Sequence, residues 1–194
     1  MAVATTGTDA VLSAKPASGT GVVFSAPKGT TLPPDALETL NVAFLSNGYV
    51  GEDGIKRKVD KKIEKIKAYG DYTVASLVNG NEVSYEFEFL ESGNGTTLKT
   101  IFGEENVSIT PPEEGVHGGK VKITHNASLP PTSPFVMDMK SGKTRLREVV
   151  PVGQISVSGD VQFVHNDVIR YSVTIEALSD DKGNNAYSYQ DVMV

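Results

Sequence analysis

The side chains in this 194-residue chain that could transfer protons, ligate metals or attack an electrophile are few and scattered. There is no Cys, which removes thiolate nucleophiles, Cys-ligated metals and any disulfide framework. The three His are His117, His125 and His165. A metal site needs convergent ligands whose remaining ring nitrogen is held by a second group. His117 and His125 are separated by a loop and a strand pattern, and neither has a carboxylate beside it. Neither a Gly-x-Ser-x-Gly elbow nor a Walker-type phosphate loop is present. Asp180-Asp181-Lys182-Gly183-Asn184-Asn185 has a calcium-loop flavour, but the EF-hand register would need an acid where Leu178 stands, so it reads as a plain turn. Asn94-Gly95-Thr96, Asn106-Val107-Ser108 and Asn126-Ala127-Ser128 match the glycosylation triplet, which carries no meaning without a secretion signal. No catalytic residue, metal site or cofactor is expected, and the chain does not read as an enzyme.

The one concentrated chemistry is electrostatic. Lys56, Arg57, Lys58, Lys61, Lys62, Lys65 and Lys67 are seven of the chain's 18 basic residues, and only Asp60 and Glu64 oppose them within the run. The whole chain carries a formal charge of −6, so the rest is more acidic still. A net acidic protein does not hold phosphate backbones in general. The run follows Gly48-Tyr49-Val50-Gly51-Glu52-Asp53-Gly54, whose glycines make it turn-rich, and precedes Tyr69-Gly70-Asp71. This stretch reads as a charged arm, about residues 51–71, projecting from an acidic body. Charge of opposite sign on arm and body fits a contact between copies.

The elements that would carry this arm are mostly strands. Residues 1–20 are small and polar and read as an extended segment; residues 21–194 read as a single β domain with the arm inserted. No hydrophobic run approaches the length of a membrane helix, and Met1–Thr8 has no signal-peptide pattern, so a soluble product of the cytoplasm that makes it is expected. Val22-Val23-Phe24 is a strand candidate. Asp35 could cap a short helix through Leu37, Leu40 and Phe44, and Asn94 another through Leu98, Ile101 and Phe102, closed by Gly103. Within the arm, Ile55, Val59, Ile63 and Ile66 make a helical stripe, while the flanking glycines fit a long excursion between strands equally well. Asn79-Gly80 is a hairpin signal between Val74–Val78 and the next strand. Val83, Tyr85, Phe87 and Phe89 alternate with Ser84, Glu86 and Glu88. Further strands are expected at 107–109, around Val121 and Ile123, at 135–137, and as three consecutive runs, 145–152, 154–164 and 168–178, with His165-Asn166-Asp167 as the last hairpin loop. Short alternating strands with Gly and Pro punctuation imply an antiparallel sandwich or barrel with one or two small helices.

Several stretches, in order, resemble the major tail tube proteins of long-tailed bacteriophages, especially those infecting actinobacteria. They are Gly48-Tyr49-Val50-Gly51-Glu52-Asp53-Gly54, Ile66-Lys67-Ala68-Tyr69-Gly70, Phe87-Glu88-Phe89-Leu90-Glu91, Phe102-Gly103-Glu104-Glu105-Asn106-Val107, Val149-Val150-Pro151-Val152-Gly153-Gln154-Ile155 and Gly183-Asn184-Asn185-Ala186-Tyr187. The resemblance spans about residues 20–190. It departs from the family pattern at Tyr69, where Trp is expected, and in the lysine richness of the arm. It implies a structural virion protein with a β-sandwich or β-barrel fold shared with the type VI secretion tube. Copies would form hexameric rings stacked around the tape measure protein, meeting a tail terminator and distal tail proteins at the ends. Double-stranded DNA would pass through without specific binding, and no membrane insertion is implied. The resemblance also implies an extended arm, with Gly51, Glu52, Asp53, Gly54, the seven cations and Tyr69 contacting the neighbouring ring. Glu86, Glu88 and Glu176, on the wet faces of strongly patterned strands, are candidates for the channel wall, where acids would repel phosphates. The rival reading is another β-rich binding module, such as a tail terminator, a capsid decoration or a carbohydrate-binding domain.

Overall fold

Strict alternation makes the strand on which the sheet is built. In Thr73–Phe89 (β5), Tyr85, Phe87 and Phe89 are buried while Glu86 and Glu88 lie on the opposite face. The computed structural model of the chain describes Gly7, residues 10–115 and residues 118–193; His117, and with it one of the three histidines, lies outside the described residues, as does most of the chain before residue 10. Along one edge of β5 runs Tyr171–Leu178 (β10), antiparallel, with Tyr171 opposite Phe89, Val173 opposite Phe87 and Ile175 opposite Tyr85. Beyond β10 come Thr144–Val157 (β9), Ser133–Ser141 (β8), Val23–Ser25 (β2) and Leu45–Ser46 (β3); Lys15–Pro16 (β1) joins β8, Tyr187–Val192 (β11) joins the first half of β9, and Lys56–Lys67 (β4) closes the far edge of β5. All these pairings are antiparallel and form one nine-stranded sheet. Val107–Thr110 (β6) and Lys120–Ile123 (β7) make a separate two-stranded ribbon.

The main core lies between the inner faces of β2, β5, β8, β9 and β10 and the helix Gly95–Phe102 (α1), which contributes Leu98 and Ile101. As expected, Asn94 caps α1, accepting from the Thr96 N–H at 2.9 Å, and Gly103 ends it with φ 89°. A second cluster, Ala26, Phe44, Val136 and Val149, occupies the other face of β8 and β9. Both faces of these two central strands are therefore covered, which explains the continuous apolar run Phe135-Val136-Met137.

Four expectations about elements are corrected. Residues 35–44 form no helix. Asp35 Oδ1 does accept from the Leu37 and Glu38 amides, at 2.9 and 2.6 Å, as a cap would. However, the carbonyls of Asp35 and Glu38, which a helix would use, accept from buried Arg147 Nη1 at 2.9 and 2.8 Å. The segment is a loop that lays Leu40 and Phe44 over the second face of the sheet. Second, residues 145–157 are one strand rather than two. Pro151 falls in the irregular stretch of the β8–β9 ladder, where a missing N–H is tolerated, and Gly153 is needed because a Cβ there would come within 2.5 Å of the Phe135 ring. Third, residues 158–170 form no strand, so His165-Asn166-Asp167 lies inside a long connection to β10. Fourth, Tyr187 and Tyr189 belong to a strand, β11, and stack with their rings 6.4 Å apart. The Asn79-Gly80 hairpin is also overturned, and that bears on the site.

Candidate self-assembly surface

The basic run is an extended strand, not a helix. β4 pairs with β5 along its whole length, from Lys56 opposite Glu86 to Lys67 opposite Thr73. The reversal comes at Ala68–Tyr72. Gly70 and Asp71 take φ values of 89° and 69°, the Ala68 amide donates to the Tyr72 carbonyl at 2.8 Å, and the Asp71 amide donates to the Ala68 carbonyl at 3.1 Å. Asn79-Gly80 is passed over. The register shifts between Lys62 and Ile63, so Asn79 becomes the extra residue of a bulge, its side chain bonded to Glu64. A turn sequence is a preference that a longer ladder outweighs.

β10 covers the edge of β5 only from Val83 onward. Residues 73–82 pair with β4 alone, so the hairpin leaves the sheet as a two-stranded ribbon. At its foot the Gly54 amide bonds the Gly51 carbonyl at 3.0 Å, and the Gly51 amide bonds the Glu88 carbonyl at 2.9 Å, which aims the turn Gly51–Gly54 into β4.

Much of the ribbon's positive charge is answered within the chain. Arg57 Nη1 reaches Glu148 at 3.1 Å and Ser188 at 2.9 Å, Lys62 reaches Glu82 at 2.7 Å, Lys67 reaches Asp71 at 2.6 Å, and Lys58 contacts Glu86. Glu148 raises the Arg57 pKa further, and burial followed by Glu148 holds the Tyr85 phenol well above its ordinary range. Lys56, Lys61 and Lys65 have no ion pair among the described residues. What composition did not reveal is the ribbon's apolar surface. Val59, Ile63, Ile66, Val74, Leu77 and Val78 are exposed, and at the tip Tyr69 is fully exposed at 105% and Tyr72 at 74%. Period-two alternation over residues 73–78 is weak, because Thr73, Val74, Ala75, Leu77 and Val78 fall on both faces; only the pairing register sorts them.

Glu86, Glu88 and Glu176 share one face of the sheet, since Glu86 lies opposite Thr174, Glu88 opposite Ser172, and Glu176 opposite Ser84. The same register puts Lys56, Lys58 and Lys62 of β4 on that face. Glu88 accepts from Ser172 at 3.1 Å and lies 3.6 Å from Arg170, and Glu86 is matched by Lys58. Glu176 is exposed, with no ion pair among the described residues.

The remaining sequence features have structural roles. No group of three His, Asp or Glu side chains converges as a metal site among the described residues. His125 packs edge-on against Phe102, 5.1 Å between centroids. Asp180 accepts from the Lys182 and Asn184 amides and from Tyr187, the last at 2.6 Å, and Asn185 ties the turn to the sheet, donating to the Ala177 carbonyl at 2.7 Å and accepting from Asn81 at 2.8 Å. That Tyr187 bond lowers the Asp180 pKa and raises that of Tyr187. Asn106 donates to the Phe102 carbonyl and accepts from Asn126, so these asparagines act as caps and ties.

An antiparallel β body with a projecting ribbon and uncovered aromatic and aliphatic side chains defines a module built to contact other protein surfaces. A family model for phage tail tube proteins matches residues 5–191. The chain belongs to that family: it is a structural, non-enzymatic component of the phage virion that assembles into a tube. A comparison with curated proteins found no match. No helix among the described residues is long and apolar enough to cross a membrane.

Proposed function

We propose that copies of this chain close into hexameric rings, that the rings stack through the β4–β5 ribbon around a tape measure protein, and that the finished tube conducts double-stranded DNA. In this reading residues 21–194 act as one β domain, with residues 51–71 as the foot, first strand and tip of the stacking arm. Tail terminator and distal tail proteins meet the two ends. The observation that carries the reading is the ribbon itself. A two-stranded ribbon with exposed apolar side chains on both faces is marginal alone in water, and beyond the Asn81–Asn185 hydrogen bond no other strand of the described residues pairs with residues 73–80 than β4. Burial against another copy supplies the missing cover, and a contact between unlike surfaces repeats without closing, as a filament requires.

The channel wall is assigned to the face holding Glu86, Glu88 and Glu176. Lys58 and Arg170 balance the first two, so Glu176 is the acid that most directly repels phosphate.

The test shortens the arm without touching the body. Lys62 and Gly80 are paired, so residues 63–79 are replaced by an Asn-Gly turn, which keeps Arg57 on Glu148. The expected product is a folded β monomer that fails to lengthen tubes in negative-stain images. Tubes of normal length from this variant would remove the arm from stacking.

A further inference from the structure

We infer that the tip of the arm docks in a cleft at the foot of the arm of another copy, an inference that rests on the tube reading above. The cleft lies between the N-terminal segment and the Tyr49–Ile55 stretch and encloses about 680 Å³. That is within the range of about 300–1,000 Å³ usual for small-ligand pockets, and ample for an aromatic side chain. Its floor is apolar: Val22, Val50, Ile55 and Met139. Its rim is Tyr49 with Glu52 and Asp53, and among the described residues no Lys or Arg lines it. The nearby Lys15 and Lys140 face each other across β1 and β8, and alternation turns them to the opposite side of the sheet from Pro16 and Met139, which line the cleft.

The tip is the complement of this site. Tyr69 and Tyr72 stand exposed, and Lys65, without an ion pair, sits on the strand leading to them. Two aromatic rings suit an apolar floor, and a free ammonium suits a rim of two carboxylates. A chain cannot fill its own cleft with its own tip. The cleft residues Gly51–Ile55 directly precede β4, and β4 has 12 residues, so the tip lies roughly 40 Å away along a paired ribbon. Only a second copy, displaced by about that length, can bring its tip there. Each copy offers one tip and one foot, so the contact is heterologous and open-ended.

Two measurements test this. Hydrogen exchange on wild-type protein compares monomer with tubes. Slowing of exchange in both residues 49–55 and residues 66–74 on assembly is expected; an unchanged 49–55 overturns the docking site, as does a cleft already fully protected in the monomer, which would mean that its own chain closes it. Photo-crosslinking with benzoylphenylalanine in place of Tyr69, or separately of Tyr72, then reads the partner by mass spectrometry. Crosslinks to residues 49–55 or Met139 of another copy are expected. Crosslinks only to other segments in intact tubes overturn the cleft but leave arm-mediated stacking standing. Wild-type protein that never assembles at any concentration overturns the tube reading and this one together. The double variant Tyr69→Ala/Tyr72→Ala, and separately Glu52→Lys/Asp53→Lys, should each raise the concentration needed for tube growth about tenfold or more. Unchanged assembly in both would overturn the pairing.

Discussion

Arg147 shows how a single buried charge can decide the shape of a loop. It is 2% exposed, its Nη2 lies 3.2 Å from Asp138, and its Nη1 holds the carbonyls of Asp35 and Glu38. Asp138, itself buried, also receives a bidentate pair from Arg145 at 2.9 and 2.7 Å. Arg147→Met removes one partner of a buried ion pair and strips two carbonyls of their donor. Loss of about 3 kcal/mol of stability is expected in urea unfolding, together with faster exchange in residues 35–44. A loss below about 1 kcal/mol would show that the network is decorative. Asp35 was legible as a capping residue from its type and position. The absence of a helix was not, because the competing donor comes from a residue 112 positions away.

At the scale of elements, the β4–β5 hairpin has two regimes. From Val83 to Glu86, β5 is sandwiched between β4 and β10, and from Tyr85 to Phe89 its inner side chains are buried; from Thr73 to Glu82 it has a ladder partner on one edge only. Opening free energy follows buried contacts. In the isolated monomer, amides of residues 73–82 that bond to β4 should therefore exchange much faster than those of residues 83–89, and the gap should narrow in tubes. Equal protection in the monomer would mean that the ribbon is covered by its own chain. The charge run pointed to an arm, but four of its seven cations, Arg57, Lys58, Lys62 and Lys67, are matched by Glu148, Glu86, Glu82 and Asp71. Surface pairs of this kind contribute little stability, about 0–1 kcal/mol each. They leave the uncovered aliphatic and tyrosine side chains as the arm's main adhesive.

For the whole molecule, the decisive feature is how the wet face of the sheet balances its charges. Glu86 and Glu88 are neutralised locally, and lysines of β4 share their face, so a simple acid wall does not describe it. Glu176→Lys is the informative reversal. As an exposed change it should alter stability by less than about 0.5 kcal/mol, and tubes should form normally. Repeated around a ring, the new lysines would hold phosphates in salt-sensitive contacts, so genome release from assembled particles should slow at low salt and recover at high salt. Release indistinguishable from wild type at low salt would place Glu176 outside the channel.

The sequence by itself determined what local rules govern. The alternation in residues 83–89 and 171–177, the Asn94 cap with its Gly103 stop and the Asp180 turn each rest on residues within a few positions of one another, and each stands in the structure. Tertiary structure alone decided the rest. Whether Asn79-Gly80 turns or bulges depends on twelve residues of β4 pairing through it. Whether Pro151 and Gly153 break a strand depends on β8 and β10 lying on either side. Whether Leu40 and Phe44 build a helix or cover a sheet depends on Arg147. The cleft at the arm's foot joins residues 14–22, 49–55 and 139, which the pairing of β1 and β2 with β8 and the bridges Gly21–Gly48 and Val50–Phe89 bring side by side. For the Asn79-Gly80 turn the local preference is worth about 1 kcal/mol, and a ladder of hydrogen bonds running through it outweighs it; for residues 35–44 a buried guanidinium does the same.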